Sequence, residues 1–173
     1  MTMRETAARI RLMGFDVDGV LTDGNLYFTP QGEEIKVFSS LDGHGLKMLQ
    51  QAGIEVVIIS GRSSKALALR AANLGISELH MGVEDKRACL DALLARRGLA
   101  RGDAGYMGDD VVDLPILRAC GFSATPADGH PFVREHVGYV ASLGGGRGAA
   151  REVCDFLLAS RGVLDAMHAR YLD

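Results

Sequence analysis

A mostly apolar run from Ile10 to Phe15 stops abruptly at Asp16-Val17-Asp18-Gly19, and this junction constrains the fold more than any other part of the chain. The run reads as a buried strand that delivers two carboxylates onto a glycine turn. Burying an unpaired charge is costly, so the carboxyl end of this strand must open onto a ligand or solvent. An aspartate there is ionised at neutral pH and can attack a phosphoryl group as a nucleophile, with no separate base. Asp18, two residues on, is placed to protonate the leaving oxygen.

The rest of the chain has the punctuation of a layered α/β protein. Residues 25–29 and 33–38 flank Pro30-Gln31-Gly32 and read as a β-hairpin, with Leu26, Phe28, Ile35 and Val37 alternating with more polar neighbours. Helices are expected over 43–52 and 64–74, each stopped by a glycine (Gly53, Gly75), with a strand over 55–59 between them. A strand over 78–81, a helix over 86–97 ending at Gly98, a strand over 104–107 and a helix over 112–119 follow. Strands over 121–124 and 138–141, a helix over 149–160 and a helical turn near 163–168 complete the chain. This alternation predicts an α/β, doubly wound, mostly parallel sheet, in which ligands bind beyond the carboxyl ends of the strands. It places Asp16 and Asp18, Ser60, residues 81–86 and residues 109–113 on one rim.

Composition bounds the function classes. The 173 residues, 47% of them hydrophobic, suit one domain spanning 1–173, and such a chain buries about 70% of its unfolded surface. The 19 basic and 22 acidic residues form no long run of either sign, so neither a nucleic-acid nor a membrane footprint is expected. Cys89, Cys120 and Cys154 are odd in number and far apart, which predicts core thiols in a reducing cytoplasm. Residues 1–13 have no stretch long enough for a signal peptide or spanning helix. His44, His80, His130, His136 and His168 share no helical face and are not expected to bind metal, and Met13, Met48, Met81 and Met107 read as core filler.

Three further clusters carry chemistry. Ser60-Gly61-Arg62 follows the apolar Val56-Val57-Ile58-Ile59; its hydroxyl and N–H groups suit phosphate oxygens, while Ser60 or Ser63 could equally cap the next helix. Lys86 sits in the first turn of a helix capped by Asp85, where the macrodipole disfavours a cation by roughly 0.3–1 kcal/mol. A shared phosphate would compensate it, and a solvated surface lysine is the alternative. In Gly108-Asp109-Asp110-Val111-Val112-Asp113, Asp110 and Asp113 fit the first turn of a helix. Asp109 instead faces the rim that Asp16 and Asp18 occupy. Like charges about 4 Å apart repel by roughly 1–4 kcal/mol, and a hard divalent cation resolves this; oxygen ligands beside a phosphate favour Mg²⁺.

DVDGVLTDG, ISGR, the lone Lys86 and GDDVVD, in that order, resemble the four motifs of the haloacid dehalogenase superfamily of phosphotransferases. Within it the chain is similar, from Ile10 to Asp165, to the family of 3-deoxy-D-manno-octulosonate 8-phosphate phosphatases. GEEIKVF, LDGHGLK, ISGR, LGI and VGYVASLGGGRGAAREVCDFLL carry that likeness, together with the absence of an inserted cap domain.

The resemblance implies Asp16 as nucleophile, Asp18 as general acid and then base, and Ser60 and Lys86 as phosphate holders. It implies Mg²⁺ bound by the Asp16 carboxylate, the Asp18 carbonyl and Asp109, with Asp110 and Asp113 in support. Its substrate contacts map onto Asp18, Ser39, Asp42, Gly43, Lys47, Gly61, Arg62, Arg70 and Lys86, with Arg62 and Arg70 suited to the carboxylate of a sugar acid. It further implies a homotetramer whose adjacent subunit helps close each site, the apolar face of the hairpin being buried between subunits. Residues 144–148 and 167–173 could also reach a site, as against serving as a helix-entry loop and a frayed tail.

The related phosphatases of nine-carbon nonulosonate 9-phosphates tend to have Glu where this chain has Arg62 and Lys where it has Asn73, which favours the eight-carbon ester. One departure from the family pattern, Ser39-Ser40-Leu41-Asp42-Gly43 in place of Asn-x-Arg-Asp-Gly, bears on the sugar contacts. Two other classes compete. A phospho-accepting receiver domain would place its acceptor on a middle strand, where this chain has Val56–Ile59 and then Ser60. A non-catalytic binding domain has no need of both Asp16 and Asp18.

Overall fold

The computed structural model describes residues 2–172, so Met1 and Asp173, at the ends of the two terminal segments considered above, lie outside the described residues. The elements run α1 (Met3–Ala8), β1 (Leu12–Phe15), β2 (Tyr27–Phe28), β3 (Glu34–Ile35), α2 (Ser40–Gln51), β4 (Glu55–Ile59), α3 (Lys65–Asn73), β5 (Glu78–His80) and α4 (Lys86–Arg97). They continue with β6 (Ala104–Met107), α5 (Leu114–Leu117), β7 (Phe122–Thr125), α6 (Pro131–Arg134), β8 (Tyr139–Val140), α7 (Ala149–Ser160) and α8 (Leu164–Ala169). The main sheet has six strands in the order β5-β4-β1-β6-β7-β8, parallel throughout, and β2 and β3 form a separate antiparallel pair.

This order is what positions the site. From β1 the chain winds outward through β4 and β5, then crosses back to β6 on the other side of β1. The strand order therefore reverses at β1, and an open α/β sheet has its ligand crevice at such a switch point. Asp16 and Asp18 follow β1 directly.

Two apolar layers hold the sheet. One, containing Phe15, Leu46, Ile58, Leu67, Val153 and Leu157, packs α2, α3 and α7 on one face. The other, containing Val57, Ile59, Leu90, Leu93, Ile116 and Leu117, packs α4 and α5 on the opposite face. Gly14 has a steric reason in this packing: a Cβ there would stand 2.6 Å from the ring of Tyr106. That buried ring crosses β1 so that its hydroxyl can donate to the Ile59 carbonyl at 2.9 Å.

Several local expectations need correction. Residues 3–8 form a helix closed by a capping box between Thr2 and Glu5, a short Thr-x-x-Glu signature masked by the few apolar residues after it. The helix expected over 112–119 is a 3-10 turn, Val111–Asp113, followed by the short α5, because Pro115 cannot continue an existing ladder and sits instead in the first turn of a new helix. Helix α2 begins three residues earlier than expected, at Ser40, with the Ser39 hydroxyl accepting from the Asp42 N–H as its cap. Of the cysteines, Cys154 is a core thiol, while Cys89 and Cys120 are only partly covered. Among the described residues no helix is long and apolar enough to cross a membrane.

Candidate active site

Four segments converge beyond the carboxyl ends of β1, β4, β5 and β6. Asp16 and Asp18 come from the β1 turn, Ser60 to Arg62 from the end of β4, Lys86 from the start of α4 and Asp109 to Asp113 from the end of β6. Asp16, Ser60, Lys86, Asp109 and Arg62 line one cleft.

Its centre is a charge cluster. Lys86 is buried, not solvated, and its ammonium bridges Asp16 Oδ2 at 2.9 Å and Asp113 Oδ1 at 2.7 Å. Asp113 is fully buried, and its other oxygen accepts from the backbone N–H groups of Asp109 (3.1 Å) and Asp110 (3.4 Å). Asp113 is thus more than a helix-entry residue: it sets both the lysine and the loop that carries Asp109. Asp110 is exposed and caps the 3-10 turn through the Val111 N–H.

Carboxylate oxygens of Asp16, Asp109 and Asp113 lie within 4.8 Å of one another. Burial, with the charge of Asp113 adding to it against the opposing Lys86, pushes the Asp16 carboxyl up to about 7. Burial and the charge of Asp16 push Asp109 up to about 7 as well. A nucleophile needs the ionised form, so this donor set is short of positive charge. Both oxygens of Asp113 are already committed, which leaves Asp16 and Asp109 to face an added hard cation. The turn is shaped for this: Gly19 has φ +88°, and a Cβ on it would fall 2.0 Å from an oxygen of Asp109. Oxygen-only donors with unmet negative charge fit a divalent metal.

Ser60 is buried, and its hydroxyl accepts from the Arg62 N–H at 3.2 Å, shaping the turn. Neither Ser60 nor Ser63 caps α3; the cap is Ser64, through the Leu67 N–H. The Asp18 side chain turns away from the acid cluster toward the hairpin, where it pairs with Lys36 and lies 3.7 Å from Arg62 Nε. Lys36 stands in GEEIKVF, one of the segments that carry the family likeness, but no role is expected of it there; that segment, and the alternation of Lys36 with Ile35 and Val37, are the signals the sequence offers.

The remaining sugar-contact candidates do not join this cleft within one chain. Gly43, Lys47 and Arg70 line a separate groove between α2 and α3. There the Arg70 guanidinium donates to the Ser39 carbonyl at 3.2 Å and lies over the Phe38 ring at 5.9 Å. Asp42 is buried, with its carboxylate accepting from the Gly148 N–H at 3.3 Å and the Arg151 N–H at 2.8 Å. It caps α7, whose own cap residue, Gly148, has no side chain.

The glycine segment 144–148 has a similar buttressing place. Gly146 N–H donates to the Val20 carbonyl at 2.9 Å and Gly145 N–H to Asp128 at 2.9 Å, so the loop lies on the back of the Asp18–Thr22 turn. The terminal segment packs by Met167 and sets Tyr171 Oη 3.2 Å from His44 Nε2, on the α2–α3 groove.

A parallel sheet reversing at β1, with DxD, a buried serine, a buried lysine and GDD gathered on its rim, defines the chain as a phosphohydrolase of haloacid dehalogenase type. Protein-family models give no match, but individual relatives do. The chain is 43% identical over 159 residues to 3-deoxy-D-manno-octulosonate 8-phosphate phosphatase KdsC of Escherichia coli (strain K12), covering 92% of this chain and 85% of that protein. The crystal structure of a probable YrbI family phosphatase from Pseudomonas syringae pv. phaseolica 1448a superposes with a TM-score of 0.97 at 46% identity, covering 99% of this chain and 97% of that one. The 3-deoxy-D-manno-octulosonate 8-phosphate phosphatase of Moraxella catarrhalis, solved with a magnesium ion, a phosphate ion and KDO, gives 0.95 at 38% identity, with coverages of 98% and 97%. The chain belongs to the 3-deoxy-D-manno-octulosonate 8-phosphate phosphatase family.

Proposed function

We propose that this chain hydrolyses 3-deoxy-D-manno-octulosonate 8-phosphate to the free sugar acid and inorganic phosphate, a step in making a lipopolysaccharide sugar, as a Mg²⁺-dependent cytoplasmic enzyme. The observation that carries the chemistry is the packing of buried Asp16, Asp113 and Lys86 with the partly buried Asp109 into one cluster at the sheet's switch point. The substrate rests on the family and on the KDO complex of the Moraxella relative.

In this reading Asp16 attacks phosphorus. The new carboxylate–phosphorus bond forms as the bond to the sugar oxygen breaks, and Asp18 supplies the proton that oxygen takes up. Asp18 then draws a proton from water as it attacks the aspartyl-phosphate, releasing phosphate and free Asp16. Ser60, the N–H groups of residues 61–62 and Lys86 hold the phosphoryl oxygens. Asp16, Asp109 and the Asp18 carbonyl would hold Mg²⁺, which when bound neutralises charge between nucleophile and phosphate.

Selectivity is supported by the division of the site. The cleft supplies Gly61 and Arg62, while Gly43, Lys47 and Arg70 lie on another surface, suited to closing the cleft of an adjacent subunit in a homotetramer. The hairpin offers the apolar area for that assembly: Leu26, Tyr27, Phe28, Ile35 and Val37 are 41–61% exposed, and two-stranded hairpins are marginal alone. Replacing Phe28 and Val37 by Lys should lower the mass seen by light scattering; an unchanged mass refutes the hairpin interface.

The function is tested by phosphate release with Mg²⁺ from the eight-carbon ester and from nonulosonate 9-phosphate. Preference for the first is expected, with Asp16→Asn, which removes the nucleophile, reducing turnover at least about 1,000-fold. Preference for the nine-carbon ester, or ordinary turnover by Asp16→Asn, overturns the reading.

A further inference from the structure

Lys36 lies in GEEIKVF, outside the four segments that bear the phosphotransfer chemistry, yet its surroundings are those of a working residue. Its side chain is 4% exposed, although it leaves a hairpin whose flanking Ile35 and Val37 are 49% and 61% exposed. A lysine so covered must be paired. Its ammonium meets Asp18 Oδ1 and lies 3.3 Å from Glu34 Oε1, while Glu34 accepts from Arg62 Nη2 at 2.8 Å and Arg62 Nε lies 3.7 Å from Asp18 Oδ2. The four side chains form a closed ring of alternating charge that ties the root of the hairpin to the Asp18 carboxylate. Arg62 is half exposed and its contact with Asp18 is long, so Lys36 is the member that sets how that carboxylate points.

We propose that Lys36 is a positioning residue for proton transfer, orienting the Asp18 carboxylate while Glu34 holds the lysine in register. The hairpin is then part of the catalytic apparatus as well as an assembly surface, and whatever orders the hairpin also orders Asp18. The inference rests on the reading of Asp18 as the group that protonates the leaving oxygen. A carboxylate freed to rotate loses the alignment on which transfer depends, and displacements of about 1 Å are enough to cost roughly 100-fold in rate.

The test uses the assembled enzyme with saturating Mg²⁺ and compares two leaving groups. The sugar alkoxide of 3-deoxy-D-manno-octulosonate 8-phosphate needs a proton as it departs, whereas the phenolate of p-nitrophenyl phosphate leaves without one. The readout is kcat/KM, which covers the steps up to departure of the leaving group and excludes the later water attack that both esters share: for Lys36→Met it should fall roughly 30- to 100-fold on the sugar ester, at or just below the lower end of a general-acid contribution, and by less than about threefold on the aryl ester. Lys36→Arg should recover most of the loss, and Glu34→Gln should give a smaller loss with the same leaving-group bias. Equal losses on both esters, with or without loss of assembly, or no loss on either, overturn the proposal. Asp18→Asn is the control. If it shows no leaving-group bias, or if the native enzyme leaves the sugar ester intact, the functional reading itself fails; if both behave as expected and Lys36→Met alone does not, only the role of Lys36 falls.

Discussion

Asp113 makes the sharpest quantitative case, because it never needs to touch the substrate. Asp113→Ala removes the 2.7 Å partner of Lys86 and the acceptor for the Asp109 N–H. Removing one partner of a buried ion pair costs about 3–5 kcal/mol, and the lower end applies because Lys86 keeps Asp16 at 2.9 Å. The orphaned N–H groups add about 1 kcal/mol. A total of about 4 kcal/mol corresponds, in a domain of this size, to a fall in Tm of about 8–16 °C. Asp113→Asn keeps one oxygen for the loop but turns its NH₂ toward the lysine, so its cost should be about half as large. Urea denaturation at pH 7.5 in EDTA measures both variants, and a cycle with Lys86→Met should show a coupling of about 1–3 kcal/mol. Because Asp113 also holds the loop of Asp109, Mg²⁺ affinity should drop about 10- to 100-fold. A loss below 1 kcal/mol for the alanine variant, or strict additivity with Lys86→Met, would refute the reasoning.

Two further predictions follow from the same site. Asp16 and Asp109 are both raised to about 7 without metal, against about 4 in an unfolded chain. The unfolded state therefore loses protons first, and metal-free stability should fall as pH rises from about 4 to 7 and then level off. Mg²⁺ should stabilise the protein more at pH 8 than at pH 5, as read by thermal melts; equal stabilisation at both would contradict the shifts. At the glycine loop, a Cβ on Gly145 would stand 1.9 Å from the Gly19 carbonyl oxygen, whereas one on Gly102 meets nothing within 4 Å. Gly145→Ala should lower kcat about 10- to 100-fold by displacing the nucleophile turn, with Gly102→Ala as native; similar kcat values for the two variants would show that the loop does not buttress the turn.

The alternation of strand, glycine and helix was enough to predict the parallel sheet and the rim, because each period is written locally: β4, α4, β6 and α7 lie where the apolar pattern and its glycine stops put them. The pairing of Asp16 with Lys86, and of Lys86 with Asp113, was not legible, since they are separated by 70 and 27 residues and meet only through the strand order. Burial decided the rest. Asp42 in LDGHGLK is expected, by the resemblance alone, among the substrate contacts; the packing of α2 on α7 also gives it a helix more than a hundred residues away to cap. Lys36 reads as one polar position among several in a hairpin, until the hairpin folds back and covers it over Asp18. The order of motifs thus determined, by local chemistry alone, what kinds of group the rim carries. Which groups meet, and which are free to meet a substrate, depended on desolvation and long-range packing, quantities that no short stretch of chain contains.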